Sequence, residues 1–146
     1  MIIRPADMTD AAALLRLKNE ARFWSGVGEV SEATHVVWLE CALLMPERHA
    51  IFIAEDGPLT KVGYGRLEFV TEARVSFAVE EGRRGEGIGQ RILGELERAS
   101  RGVPLVAYVH PGNYPSLRAF ARCGYRLDEV RTEKGTAWQI LRKELK

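Results

Sequence analysis

The stretch EEGRRGEGIGQRIL, residues 80–93, limits what this chain can become more than any other. It follows the apolar, strand-like run ARVSFAVE and opens a segment in which Ile88, Ile92, Leu93 and Leu96 recur at helical spacing, while Gln90, Arg91, Glu95 and Arg98 take the other face. A strand therefore passes through a glycine-rich turn into an amphipathic helix whose first amides have no partner inside the helix. The missing Cβ atoms at Gly85, Gly87 and Gly89, with Arg83 and Arg84 alongside, let a phosphate approach the backbone. Counting excludes two familiar phosphate motifs. A dinucleotide fingerprint begun at Gly85 and Gly87 needs a third glycine where Gln90 stands, and a Walker loop needs lysine then serine or threonine where Ile88 and Gly89 follow Gly87. A diphosphate cradle remains, against the plainer reading of a strand-to-helix turn with solvated arginines.

Around this stretch the pattern is regular. MIIRPA is a short strand ended at Pro5, and residues 7–22 read as a helix with Asp7 or Thr9 as N-cap. FWSGVGEV, residues 23–30, breaks the period with two glycines, after which Ser31 caps a second helix stopped by Pro46. HAIFIAE, KVGYGRLEFV and ARVSFAVE, joined by short turns, form an antiparallel meander. VPLVAYVH is a further strand, NYPSLRAFARC a short helix with Pro115 near its first turn, and YRLDEVR with TAWQILRKEL a closing hairpin. The expected order is βααβββαβαββ, an α+β fold with a mixed, mostly antiparallel sheet of about seven strands and helices on both faces.

At 146 residues the chain is the size of one domain, so residues 1–146 are expected to share a single core. With 21 basic and 20 acidic residues, no global field points to nucleic acid or to an anionic membrane. Any anion site must be local. Cys41 and Cys123 lie far apart and at no metal-ligand spacing; with no secretory-type leader and no run long enough to span a bilayer, a reduced, cytoplasmic, metal-free protein is expected.

The central stretch resembles the signature of the GNAT superfamily of N-acetyltransferases: Gln or Arg, two residues, Gly, one residue, Gly or Ala, here Arg84, Gly87 and Gly89. VHPGNYPSLRAFARCGYR resembles the second block of that family, and the element order agrees over nearly the whole chain. The resemblance implies an acyltransferase with acetyl-CoA as donor, bound where the strand of residues 74–79 splays from that of residues 103–109. It implies that pantetheine pairs with the backbone edge of Phe77, Ala78 and Val79, with the Val79 amide holding the thioester carbonyl as charge grows on it. Arg84, Gly85, Glu86, Gly87, Ile88, Gly89 and Gln90 would cradle the pyrophosphate, and Asn113 and Ser116 match positions that hold the cofactor's arm.

Departures from the family pattern bear on mechanism. Phe120 stands where many relatives carry the tyrosine that protonates the thiolate, and Ala73 and Tyr108 align with positions that often carry a glutamate base. An amine must nevertheless lose its proton before it can attack a thioester. On a strand reading Tyr64, Arg66 and Glu68 share one face, as do Tyr108 and His110, so Tyr108, His110 and Glu68 are the catalytic candidates. Their bland alternatives are an amphipathic strand residue, a surface imidazole and a carboxylate paired with Arg66 or Arg74. Cys123 reads as packing.

Trp24, a large aromatic in an aperiodic loop, reads as a lid or contact residue. Residues 17–40 are similar to the start of family members that acetylate nucleotide-linked amino sugars, as in pseudaminic acid synthesis, which implies acceptor roles for Asn19, Arg22 and His35, with Trp38 part of the same pattern. An amine titrating near ~8 rather than ~10.4 has less need of a strong base. The expected reaction is acetyl transfer by direct attack in a ternary complex, with protein N-termini or lysines, or a CoA-binding module without turnover, as alternatives. TAWQILRKEL offers a possible edge for a homodimer.

Overall fold

A computed structural model describes residues 1–26 and 28–145. Seven strands form one sheet: β1 (Ile2–Pro5), β2 (His49–Glu55), β3 (Lys61–Phe69), β4 (Ala73–Val79), β5 (Leu105–Val109), β6 (Arg126–Glu133) and β7 (Thr136–Lys143). Their spatial order is β1-β2-β3-β4-β5-β7-β6, and every neighbouring pair is antiparallel except β4 and β5. Helices α1 (Ala11–Glu20), α2 (Arg22–Ser25), α3 (Glu32–Leu43), α4 (Ile88–Arg98) and α5 (Tyr114–Arg122) complete the fold, the α+β arrangement expected from the sequence.

Two apolar clusters cover opposite faces of the sheet. Leu14 and Leu17 of α1 and Leu39 of α3 pack on Ile51, Ile53, Tyr64 and Ala78. Ile92, Leu93 and Leu96 of α4, with Phe120 of α5, pack on Leu67, Val75, Leu105 and Leu141. The approach of α4 to β3 is so close that a Cβ on Gly65 would stand 2.4 Å from Ile92. Glycine here removes volume where helix and sheet meet.

The N-terminal turn carries a buried charge cluster. Asp7 and Asp10 form a reciprocal capping box, and the fully buried Asp10 carboxylate meets Arg4 at 2.8 Å and Lys61 at 2.7 Å. Burial alone would push its pKa up, but the two cations outweigh it and hold the carboxyl well below the usual range.

Two local expectations are corrected. The aromatic segment after α1 is not all loop: Arg22–Ser25 makes one helical turn before Gly26 breaks it at φ 74°, a left-handed value that suits glycine. TAWQILRKEL is not an edge either, because β7 lies between β5 and β6. The edge on that side is β6, whose exposed charges, among them Arg126, Asp128 and Arg131, discourage strand addition.

Candidate active site

The parallel pair β4–β5 is joined only at Ala73–Leu105 and Arg74–Val106, after which the two strands part. A cleft of about 1280 Å³ opens there, lined by Phe77, Ala78 and Val79 on one side and Tyr108, Val109 and His110 on the other. The antiparallel ladder decides which backbone groups face it. The Glu80 amide donates to the Val62 carbonyl, so alternate residues Ala78 and Ser76 turn their polar groups toward β3, while Phe77 and Val79 turn theirs into the opening. Of the three residues expected to offer a backbone edge, Ala78 is thus corrected: its amide and carbonyl belong to β3.

At one end of the cleft lies the start of α4. Gly87 takes the N-cap position at φ 81° and no side chain caps the helix, so the amides of the first turn are available to a ligand. Arg84, Gly85, Gly87, Ile88, Gly89 and Gln90 line this end together with Asn113 and Ser116. The Asn113 side chain accepts from the Ser116 amide at 3.4 Å and so caps α5 beside the cradle. Gly89 serves packing: a Cβ there would meet the Phe77 ring at 2.8 Å. Arg83 is committed to Asp56 and Glu86, and the Glu86 side chain lies outside the cleft, whereas Arg84 has no ion pair or side-chain hydrogen bond among the described residues. Of the two neighbouring arginines, Arg84 is therefore the one whose charge is left for an anion.

The other end is aromatic and cationic. Trp24 packs edge-on against His110 at 5.2 Å, and His110 meets Trp138 at 5.8 Å, so Trp24 rests on the end of β5 and does not stand free as a loop lid. The Gly112 amide donates to His110 Nδ1 at 3.0 Å. That bond engages Nδ1 and leaves Nε2 to meet a substrate. Tyr108 Oη accepts from Arg131 at 3.1 Å, and the Arg74 guanidinium lies 4.0 Å from the centre of its ring. Glu68 faces Arg66 at 3.8 Å, the ion pair of the bland reading. Phe120 is buried against Phe77 and Tyr125, which leaves no hydroxyl at that position.

Three expected acceptor contacts lie elsewhere. Asn19 spends its amide on the Val30 backbone, accepting at 3.0 Å and donating at 3.3 Å; Arg22 donates to the Asn19 carbonyl, and neither lines the cleft. His35 is 1% exposed, stacked on Trp38 under α3, with its pKa lowered by burial and by nearby Lys18. The residue missed in their place is Lys18, which lines the cleft with its ammonium 3.4 Å from the Trp38 ring centre. Burial, and then Arg66, lower its pKa to about 7. One signal was available: Lys18 lies four residues after Leu14, which puts it on the core-facing side of α1.

A sheet that parts between two parallel strands beside an uncapped helix start offers a diphosphate-bearing ligand both free amides and a free backbone edge. The comparisons make the class definite. Residues 47–127, more than half of the chain, match the model of the acetyltransferase (GNAT) domain, and the chain belongs to that family. It is an acyltransferase of the kind whose acetyl donor is acetyl-CoA. A ribosomal-protein-alanine N-acetyltransferase from Brucella melitensis is 26% identical, with TM-score 0.81 over 99% of this chain and 100% of the other. The same fold recurs in yncA of Salmonella typhimurium, solved with acetyl-CoA (22% identity, TM-score 0.83, 99% and 94% covered). It recurs also in a phosphinothricin acetyltransferase from Sinorhizobium meliloti in complex with acetyl-CoA (18% identity, TM-score 0.82, 99% and 88% covered). No curated protein matches the chain. Among the described residues no cluster of metal-ligating side chains occurs, and no helix is long and apolar enough to cross a membrane.

Proposed function

We propose that the chain, acting as one domain, transfers the acetyl group of acetyl-CoA to the primary amine of a small polar acceptor, with a nucleotide-linked amino sugar the first candidate. The observation that carries this reading is the parting of β4 from β5 next to the uncapped start of α4. The Gly87–Gln90 amides and Arg84 would hold the pyrophosphate, and the outward-facing groups of Phe77 and Val79 would pair with the pantetheine amides. The donor supplies an activated thioester, and the Val79 amide lies on the edge where charge on its carbonyl oxygen would be met. Tyr108, whose oxygen already accepts from Arg131, keeps its own proton to give to the departing thiolate, and Glu68 takes the amine's proton through water.

The Brucella relative, whose match spans 99% of this chain, favours a second reading with an α-amino group of a protein as acceptor. The two are separated by acetyl-CoA-dependent thiol release on amino-sugar nucleotides, polyamines and Ala-starting peptides. Turnover confined to peptides would overturn the small-acceptor reading. Tyr108→Phe is expected to lower kcat by 10²–10⁴ with little change in acetyl-CoA affinity, the usual range for loss of a general acid.

A further inference from the structure

The acceptor half of the cleft has a charge balance the reaction alone does not require. Lys18, Arg66, Arg74, Arg131 and Lys134 line it, against Glu68 and Glu133. Lys18 makes no ion pair or hydrogen bond among the described residues, and both it and Arg66, whose guanidinium carbon is 5.2 Å from the ring centre, lie over Trp38. Arg66 is three-quarters buried, its Nε has no partner among the described residues, and Glu68 touches it only at 3.8 Å. Two cations held close together on one aromatic ring, with a buried N–H left unanswered, cost free energy unless a ligand supplies the missing negative charge. Repulsion from Arg66 is part of what lowers the Lys18 pKa, which an anion between them would reverse.

We infer that the acceptor amine carries an anionic oxygen group, a carboxylate or a phosphoryl group, which docks between Lys18 and Arg66 where both line the cleft. This rests on the acetyltransferase reading and narrows its substrate class. The planar guanidinium meets two anionic oxygens at once, and the unpartnered Nε–H is one of the two donors that such a contact uses. A nucleotide-linked amino sugar brings phosphoryl oxygens, and a free amino acid brings a carboxylate. The shared chemistry is the anion.

Matched acceptors test this: glucosamine against its 6-phosphate, and an amino acid against its amide. The anionic member of at least one pair is expected to have a kcat/KM more than tenfold higher, and which pair responds tells phosphate from carboxylate. In Arg66→Gln and in Lys18→Gln the preference is expected to collapse toward unity through KM, while calorimetry shows acetyl-CoA still bound, which separates a lost acceptor site from a failed fold or donor site. Equal use of both members by the wild-type enzyme, or a preference that survives both substitutions, would overturn the inference.

Should none of these amines turn over, the anion site is read directly. The CoA-saturated protein, its pyrophosphate cradle filled, is titrated at pH 8 with inorganic phosphate and with acetate in buffers of different ionisation heat. Binding with proton uptake that disappears in Lys18→Gln sustains the inference; absence of binding by either anion refutes it, whatever becomes of the wider functional reading.

Discussion

Lys18 shows what a single residue can hide. Lysine is ordinarily solvated, yet on α1 the core-facing residues Leu14 and Leu17 turn this one against Trp38 and Arg66. The titratable groups that interact with it are Arg66 on β3 and His35 on α3. A lysine whose folded pKa is lowered to about 7 weakens the fold most below that pH, where it must be charged in both states. The penalty fades as pH rises toward the unfolded value, because the folded chain then binds fewer protons than the unfolded one. Urea unfolding of Lys18→Met is therefore expected to show a gain on the order of 1 kcal/mol at pH 6 that shrinks toward pH 10. A gain independent of pH would mean that apolar packing, not charge, is responsible.

At the scale of elements, α4 binds through its backbone at one end and packs through its side chains along its length. Gly87 sits at φ 81° with nothing within 4 Å of its missing Cβ, so a side chain there meets backbone strain instead of a neighbour. Gly87→Val is expected to leave the core intact, lower stability by about 1–2 kcal/mol, and weaken acetyl-CoA binding at least tenfold by calorimetry.

Such elements were the most legible part of the sequence: the amphipathic period of α4, Ser31 before α3 and the Asn113–Pro115 start of α5 each stated their role locally. What could not be read locally was anything set by pairing. The interior place of β7, the turning of the Ala78 backbone toward β3 and the sealing of His110 Nδ1 by Gly112 all depend on partners distant in sequence or on a turn's precise path. Gly89 shows the limit from the other side. Its place in the motif points to a ligand, whereas the Phe77 ring also demands a glycine there.

For the whole molecule, the sheet consists of a four-strand part and a three-strand part that share two residue pairs. Beyond that junction the two parts are held by α4 and α5 on one face and by Arg142 of β7, which reaches both Glu72 and Asp128. Hydrogen exchange provides a direct reading of how a ligand enters this gap. Acetyl-CoA is expected to slow exchange at the Phe77 and Val79 amides by more than tenfold, while Ala78, already bonded to β3, changes little. Equal protection at all three would show that the donor arm does not join the sheet edge.

The unfinished junction also gives the donor a second identity, that of a removable keystone. A ligand bound only by the folded chain adds RT ln(1 + [L]/Kd) to its stability, about 2.7 kcal/mol at a hundredfold excess over Kd. The thermal endurance of this protein, and with it its lifetime against proteolysis, would then rise and fall with the supply of CoA, making its abundance a gauge of acetyl metabolism even when no acceptor is present.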